Sequence, residues 1–199
     1  SSAAFFLVAA SIVPGSELLI EGVGMNPRRT GLLQALRLMG ADIEELDARE
    51  EGGEPVADLR VRYAPLHGVE IPEAIVPDMI DEFPVLFVAA AAASGVTVVR
   101  GAAELRVKES DRIAVMATGL RAMGVRVDET PDGASIHGAS SFGPAQVQAH
   151  HDHRIAMSFV VAAQLASAPV RIGGCETVAT SFPGFLELAA GCGIAVGAA

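Results

Sequence analysis

Five charged side chains fall within seven positions, Arg106 to Arg112, in a chain that is mostly Ala, Val, Leu and Gly around them. The stretch Glu104-Leu105-Arg106-Val107-Lys108-Glu109-Ser110-Asp111-Arg112 follows a strand-like run, Val96–Arg100. It leads into Ile113, Met116, Leu120 and Met123, spaced three, four and three, which is a helix with one buried face. Ser110 is of a type that caps such a helix. Lys108 and Arg112 are four apart and come near one another if the first turn begins early. A helix N-terminus already carries partial positive charge, so a Lys and an Arg there are unfavourable unless an anion arrives. Glu109 and Asp111 offset part of that cost. The chemistry on offer is a phosphate- or carboxylate-binding corner with an acid/base carboxylate beside it. A solvated helix start with internal ion pairs fits the same spacing.

Two more helix starts carry polar residues. Asp81-Glu82 precedes the apolar run Phe83–Ala93, and Asp152-His153-Arg154 precedes Ile155-Ala156-Met157. If these N-termini point to one place, Lys108, Arg112 and Arg154 form a pocket for a multiply charged anion. Asp81 and Glu109 are then carboxylates held among cations, available for proton transfer. Asp81-Glu82 alone also reads as an ordinary acidic helix start. Arg154 is less easily dismissed, because core-type residues follow it. All five residues, Asp81, Lys108, Glu109, Arg112 and Arg154, are expected to line one concave surface.

Other constellations offer less. His150, His151, Asp152 and His153 lack a second Cys or His cluster, so no metal is expected. Gly22-Val23-Gly24 is followed by Pro27 and lacks the third glycine of a dinucleotide fingerprint. No Ser-His-Asp or Cys-His set is assignable from spacing.

Composition narrows the partners. The formal net charge of −10 argues against a nucleic-acid surface, and the absence of Trp with a single Tyr removes stacking platforms for single strands. A small anionic ligand fits an acidic protein with one basic corner. The run Phe83–Ala93 is too short to span a bilayer, and Ser1-Ser2-Ala3 has no basic leader region. Cys175 and Cys192 read as free, buried thiols of a cytoplasmic protein. The missing initial Met and the opening at a helix cap read as a piece of a longer chain.

The elements that must position the charged residues recur three times, in units of about 1–70, 78–140 and 150–199. Ser2 to Gly22, Asp81 to Gly101 and His153 to Gly173 each span twenty residues. In each, a buried helix (Ala3–Val13, Asp81–Ala93, Arg154–Leu165) leads to a strand (Ser16–Glu21, Val96–Arg100, Pro169–Gly173). A second helix follows (Arg29–Met39, Ser110–Met123, one starting at Ser181-Phe182-Pro183). Strands come last: Asp42–Leu46 and Ala57–Arg62 around the loop Arg49–Pro55, Val125–Glu129 and Ala134–His137, and Ile194-Ala195-Val196. The economical description is an α/β domain of repeated βαβαββ units about a pseudo-threefold axis. The first unit lacks its opening strand and the third its last.

Four phrases, in order, carry a resemblance that covers the whole chain. Arg106-Val107-Lys108-Glu109-Ser110-Asp111-Arg112 resembles the RVKE(S/T)DR motif of the 5-enolpyruvylshikimate-3-phosphate synthase family, which includes the target of glyphosate. Asp152-His153-Arg154-Ile155-Ala156-Met157 is similar to its DHRxAM motif, and Ser181-Phe182-Pro183-Gly184-Phe185 to its (S/T)FPxF motif. Asp78 to Pro84 resembles the segment with its catalytic aspartate. The resemblance implies an inside-out α/β barrel, here the C-terminal part of a two-domain enzyme. The missing N-terminal portion would complete the cleft of a monomeric, cytoplasmic protein. The implied reaction moves the enolpyruvyl group of phosphoenolpyruvate to the 5-hydroxyl of shikimate 3-phosphate by addition and elimination, without metal or cofactor. It is a step towards chorismate and the aromatic amino acids. The resemblance assigns Asp81 to the shikimate hydroxyls and proton transfer, Lys108 to both substrates, and Glu109 to acid/base work at the enolpyruvyl carbon. It assigns Arg112 and Arg154 to the carboxylate and phosphate of phosphoenolpyruvate. Thr180 stands where many relatives carry Lys, so no cation is assigned there. The alternatives are the sister transferase acting on UDP-N-acetylglucosamine and a non-catalytic anion-binding repeat domain.

Overall fold

A helix that is apolar on every side has to lie at the centre of a structure rather than on its surface. A computed structural model describes residues 1–197 and has three such helices. The first unit runs α1 (Ala3–Ile12), β1 (Glu17–Gly24), α2 (Gly31–Leu38), β2 (Asp42–Glu51) and β3 (Glu54–Arg62). The second runs α3 (Phe83–Ala92), β4 (Val96–Val99), α4 (Arg112–Ala122), β5 (Val127–Thr130) and β6 (Gly133–His137). The third runs β7 (Gln146–Gln148), α5 (His153–Ala163), β8 (Arg171–Gly173), α6 (Val178–Ser181) and α7 (Phe185–Gly191). α1, α3 and α5 pack against one another, and nine of the ten residues of α1 and of α3 are buried. The buried hydroxyls of Ser11 and Ser158 donate to the carbonyls of Leu7 (2.8 Å) and Arg154 (2.7 Å), so neither is left unpaired.

The sheets lie outside these helices, an inside-out α/β arrangement. Their orders are β1-β3-β2, β4-β6-β5 and β7-β8. In the first two the last strand pairs antiparallel with both neighbours. β7 and β8 are parallel. The second unit has the same relation in rudiment: Val98 N–H donates to the Val69 carbonyl and Ile71 N–H to the Val98 carbonyl, both at 2.9 Å.

Several expected boundaries change. The loop at Arg49–Pro55 shrinks to Gly52-Gly53, both at positive φ, because two such residues close a tight hairpin whose twist matches that of its strands. β1 runs on through Gly22-Val23-Gly24 after a bulge at Glu21-Gly22, with the Asp58 carboxylate accepting the Gly22 N–H at 2.8 Å. β7 has a single apolar residue, Val147, and was not expected. The second helix of the third unit starts at Phe185, after Gly184 at φ 80°, and not at Ser181. Ile194–Val196 forms no strand, since the Gln164 amide takes up both the N–H and the carbonyl of Ala195. Both cysteines are free. Cys175 is half-buried, but Cys192 is exposed, contrary to expectation, because it sits just past the end of α7.

Two contacts hold the outer helices in register. Gly119, in the middle of α4, faces the Phe159 ring of α5 so closely that a Cβ would lie 2.1 Å from it. Phe5 and Phe6 of α1 meet Phe182 and Phe185, with ring centroids 5.9–6.4 Å apart across the two segments. The Phe-Pro motif of the third unit thus packs the last helix onto the first. Among the described residues no helix is long and apolar enough to cross a membrane.

Candidate active site

The chain before α4 does not enter its helix directly. Residues Ala103–Val107 make a short 3-10 turn, Lys108 is extended, and α4 begins only at Arg112. Asp111, not Ser110, is therefore the cap, accepting the Ala114 N–H at 3.0 Å. Asp111 also pairs with Arg106 at 3.0 Å, and Arg106 reaches Glu129 of β5 at 3.2 Å. Arg106 thus ties the turn to the β5–β6 hairpin. The charge of Asp111 is spent there, not on Arg112.

Arg112 points inward and is 1% exposed. Its Nε donates to Asp152 at 2.8 Å, its Nη1 to Asp81 at 3.1 Å and its Nη2 to Glu109 at 2.6 Å. Asp152 is 0% exposed and caps α5, accepting the Arg154 N–H at 3.0 Å. It also accepts the Ser110 hydroxyl at 3.0 Å. One buried carboxylate therefore orients the starts of both α4 and α5. The sequence shows Asp152 at a helix start but not this role, because its arginine lies forty positions away with no periodicity linking them.

The remaining residues close round this pair. Lys108 pairs with Glu104 and stands 3.8 Å from Asp81. Arg154 donates to the Asp81 carbonyl at 3.0 Å, and its guanidinium lies 3.8 Å from the Asp81 carboxylate and 3.6 Å from Glu82. Its Nη1 also donates to the Ser1 hydroxyl at 2.7 Å. The starts of α1, α3, α4 and α5 thus meet in one place, and Asp81, Lys108, Glu109, Arg112 and Arg154 share it. The larger surface cavities lie elsewhere, beside Tyr63 and Phe142 and between α4 and β7 beside Val115 and Gln148.

Charge on this face is layered. Arg112 and Asp152 form the floor, while Asp81 (46% exposed) and Glu109 (53% exposed) stand at the rim. Burial pushes the Asp81 pKa up, but Arg154, Lys108 and Arg112 outweigh it and hold the carboxyl below its usual 3.8. Partial burial and the neighbouring Arg154 lower the His153 pKa below 6.5. Asp81, Glu82, Glu104, Glu109 and Asp152 outnumber Lys108, Arg112 and Arg154, so the face by itself is not a cationic pocket. Among the described residues, no group of three or more His, Cys, Asp and Glu side chains gathers as a metal ion requires.

Helices inside and sheets outside, with polar residues gathered at helix starts, define the class of enolpyruvyl transferase folds. A solved enolpyruvyl transferase of Streptomyces tendae superposes with a TM-score of 0.74 at 18% identity, over 97% of this chain and 42% of that one. At that identity the likeness is one of fold. More specifically, the family model for EPSP synthase (3-phosphoshikimate 1-carboxyvinyltransferase) matches residues 1–188, and the chain belongs to that family. A solved EPSP synthase of Acinetobacter baumannii superposes with a TM-score of 0.94 at 52% identity, over 97% of this chain and 45% of that one. A 3-phosphoshikimate 1-carboxyvinyltransferase of Xanthomonas oryzae pv. oryzae is 70% identical over 199 residues, and one of Xanthomonas euvesicatoria pv. vesicatoria is 70% identical over 193. These cover 100% and 97% of this chain, which spans 45% and 44% of those relatives.

Proposed function

We propose that this chain is one domain, of three repeat units, of a cytoplasmic, monomeric enzyme that forms 5-enolpyruvylshikimate 3-phosphate and phosphate. Its substrates are phosphoenolpyruvate and shikimate 3-phosphate. The observation that carries this reading is the meeting of five motif residues round the buried Arg112–Asp152 pair, in a chain 70% identical to enzymes named for that reaction. Arg112 and Arg154 take the carboxylate and phosphate of phosphoenolpyruvate. Lys108, next to Asp81, reaches both substrates. Asp81 is ionised and so has an acceptor for the proton of the attacking 5-hydroxyl, while the three cations that keep it ionised also weaken it as a base until substrate anions draw them away. Glu109, at the open rim, exchanges a proton with the enolpyruvyl carbon during addition and elimination. The excess of carboxylates over cations supports a half-site, which needs further cations from the rest of the longer chain before it holds two phosphorylated substrates.

The test uses the full-length protein and this chain alone in a phosphate-release assay. The full-length protein should turn over, and this chain alone should not. Separate titrations should show Arg154→Ala weakening phosphoenolpyruvate binding by about tenfold or more, the size of a lost charge-assisted contact, with a smaller effect on shikimate 3-phosphate. Equal losses for both substrates overturn the assignment of Arg154. Turnover by this chain alone overturns the half-site.

A further inference from the structure

Arg112 has no open edge. Its three nitrogens face Asp152, Asp81 and Glu109, and the side chain is 1% exposed. An incoming oxyanion can touch the guanidinium only by replacing one of these carboxylates. Asp152 cannot yield, since it is fully buried and also holds the start of α5 and Ser110. Asp81 is restrained by Lys108 and Arg154, each 3.8 Å away. Glu109 differs from both. It lies ahead of α4, half-exposed, and among the described residues Arg112 is the sole hydrogen-bond partner of its carboxylate.

We infer that Glu109 covers Arg112 until a substrate oxyanion displaces it, so that one rotation both opens the anion subsite and releases the Glu109 carboxylate for proton transfer. This deepens the reading of the site given above and rests on it. A carboxylate fixed to a guanidinium at 2.6 Å has its oxygen engaged and is held away from any other partner. Freed from Arg112, it can turn to the rim, where the reacting carbon would sit. Like charge enforces the exchange, since a phosphate or carboxylate and Glu109 cannot share one guanidinium edge. The proton-transfer group is thereby held idle until the anion is in place.

The prediction is opposite in sign to that for an ordinary binding residue. In the full-length protein, Glu109→Gln and Glu109→Ala should bind an oxyanion more tightly by about five-fold, the scale of one partly exposed charge pair, while losing turnover. Calorimetric titration with inorganic phosphate and, separately, with acetate identifies which oxyanion the uncovered guanidinium takes. Thermal unfolding of both variants checks the fold, which a half-exposed side chain should leave intact. Tighter binding of either probe, together with lost turnover, upholds the cover. Unchanged or weaker binding of both probes by both variants overturns it. Arg154→Gln separates the two ideas. If it weakens phosphate binding while the Glu109 variants tighten neither probe, the site stands and the cover falls. If it leaves phosphate binding unchanged while the Glu109 variants tighten it, the cover stands and the wider site falls.

Discussion

The starts of α2 and α4 occupy matching places in successive repeats, and both follow a 3-10 turn carrying arginine. At α2, Arg28 and Arg29 stay at the surface. Arg28 is 86% exposed, with its nearest carboxylate, Asp78, at 3.7 Å. At α4, Arg112 is buried against carboxylates from three different segments. Both helix starts carry arginine, and both take a carboxylate from the turn ahead of α3, Asp78 for Arg28 and Asp81 for Arg112. What differs is the number of counter-ions. Arg112 adds Glu109 and the buried cap of α5, Asp152, so its side chain settles where the second and third units meet. A cation becomes a fixed part of a site when several carboxylates close round it.

Removing the buried member should have the largest effect. Arg112→Ala strands Asp152 as an unpaired buried charge and should cost about 3–5 kcal/mol of stability, measured by denaturant unfolding of the full-length protein. A loss below 1 kcal/mol would erase the contrast with α2.

Next comes the rim. The Asp81 pKa is held below its ordinary value, so the stability this contributes is complete above about pH 3.8 and is lost as pH falls through the lower folded-state value. Asp81→Asn should flatten the acid limb of the stability profile below that pH and leave the neutral limb parallel. An unchanged acid limb would mean that the three cations do not act on Asp81.

The smallest effect belongs to α2. Arg28→Ala should change stability by less than about 0.5 kcal/mol and leave turnover untouched. A tenfold fall in activity would make the two helix starts equivalent after all.

The same contrast shows what was legible in the sequence. α1 and α3 announced themselves as unbroken apolar runs, and the repeat set the order of helices and strands along the first two units. β7 escaped because Gln146-Val147-Gln148 alternates over only three residues, too few to read as a strand. The cap of α4 was misplaced by one residue because Ser110 and Asp111 are both capping types, and only the extended Lys108 decides between them. The five candidate residues were legible by type, as polar residues at helix starts. Their mutual neutralisation was not, since Arg112 and Asp152 meet through packing alone. The anion pocket expected from counting cations is a paired network once the carboxylates are in place.

The four phenylalanines that join α1 to α7 bear on how the fold is reached. Phe5 and Phe6 touch Phe182 and Phe185 from opposite ends of the sequence, so this contact has almost the longest loop the chain can close. Local helices and hairpins form before such a contact repays its closure entropy. The aromatic cluster therefore belongs to the last stage of assembly. Truncating Phe185 should speed unfolding far more than it slows folding, making these rings the latch that governs how long the ring of helices stays shut.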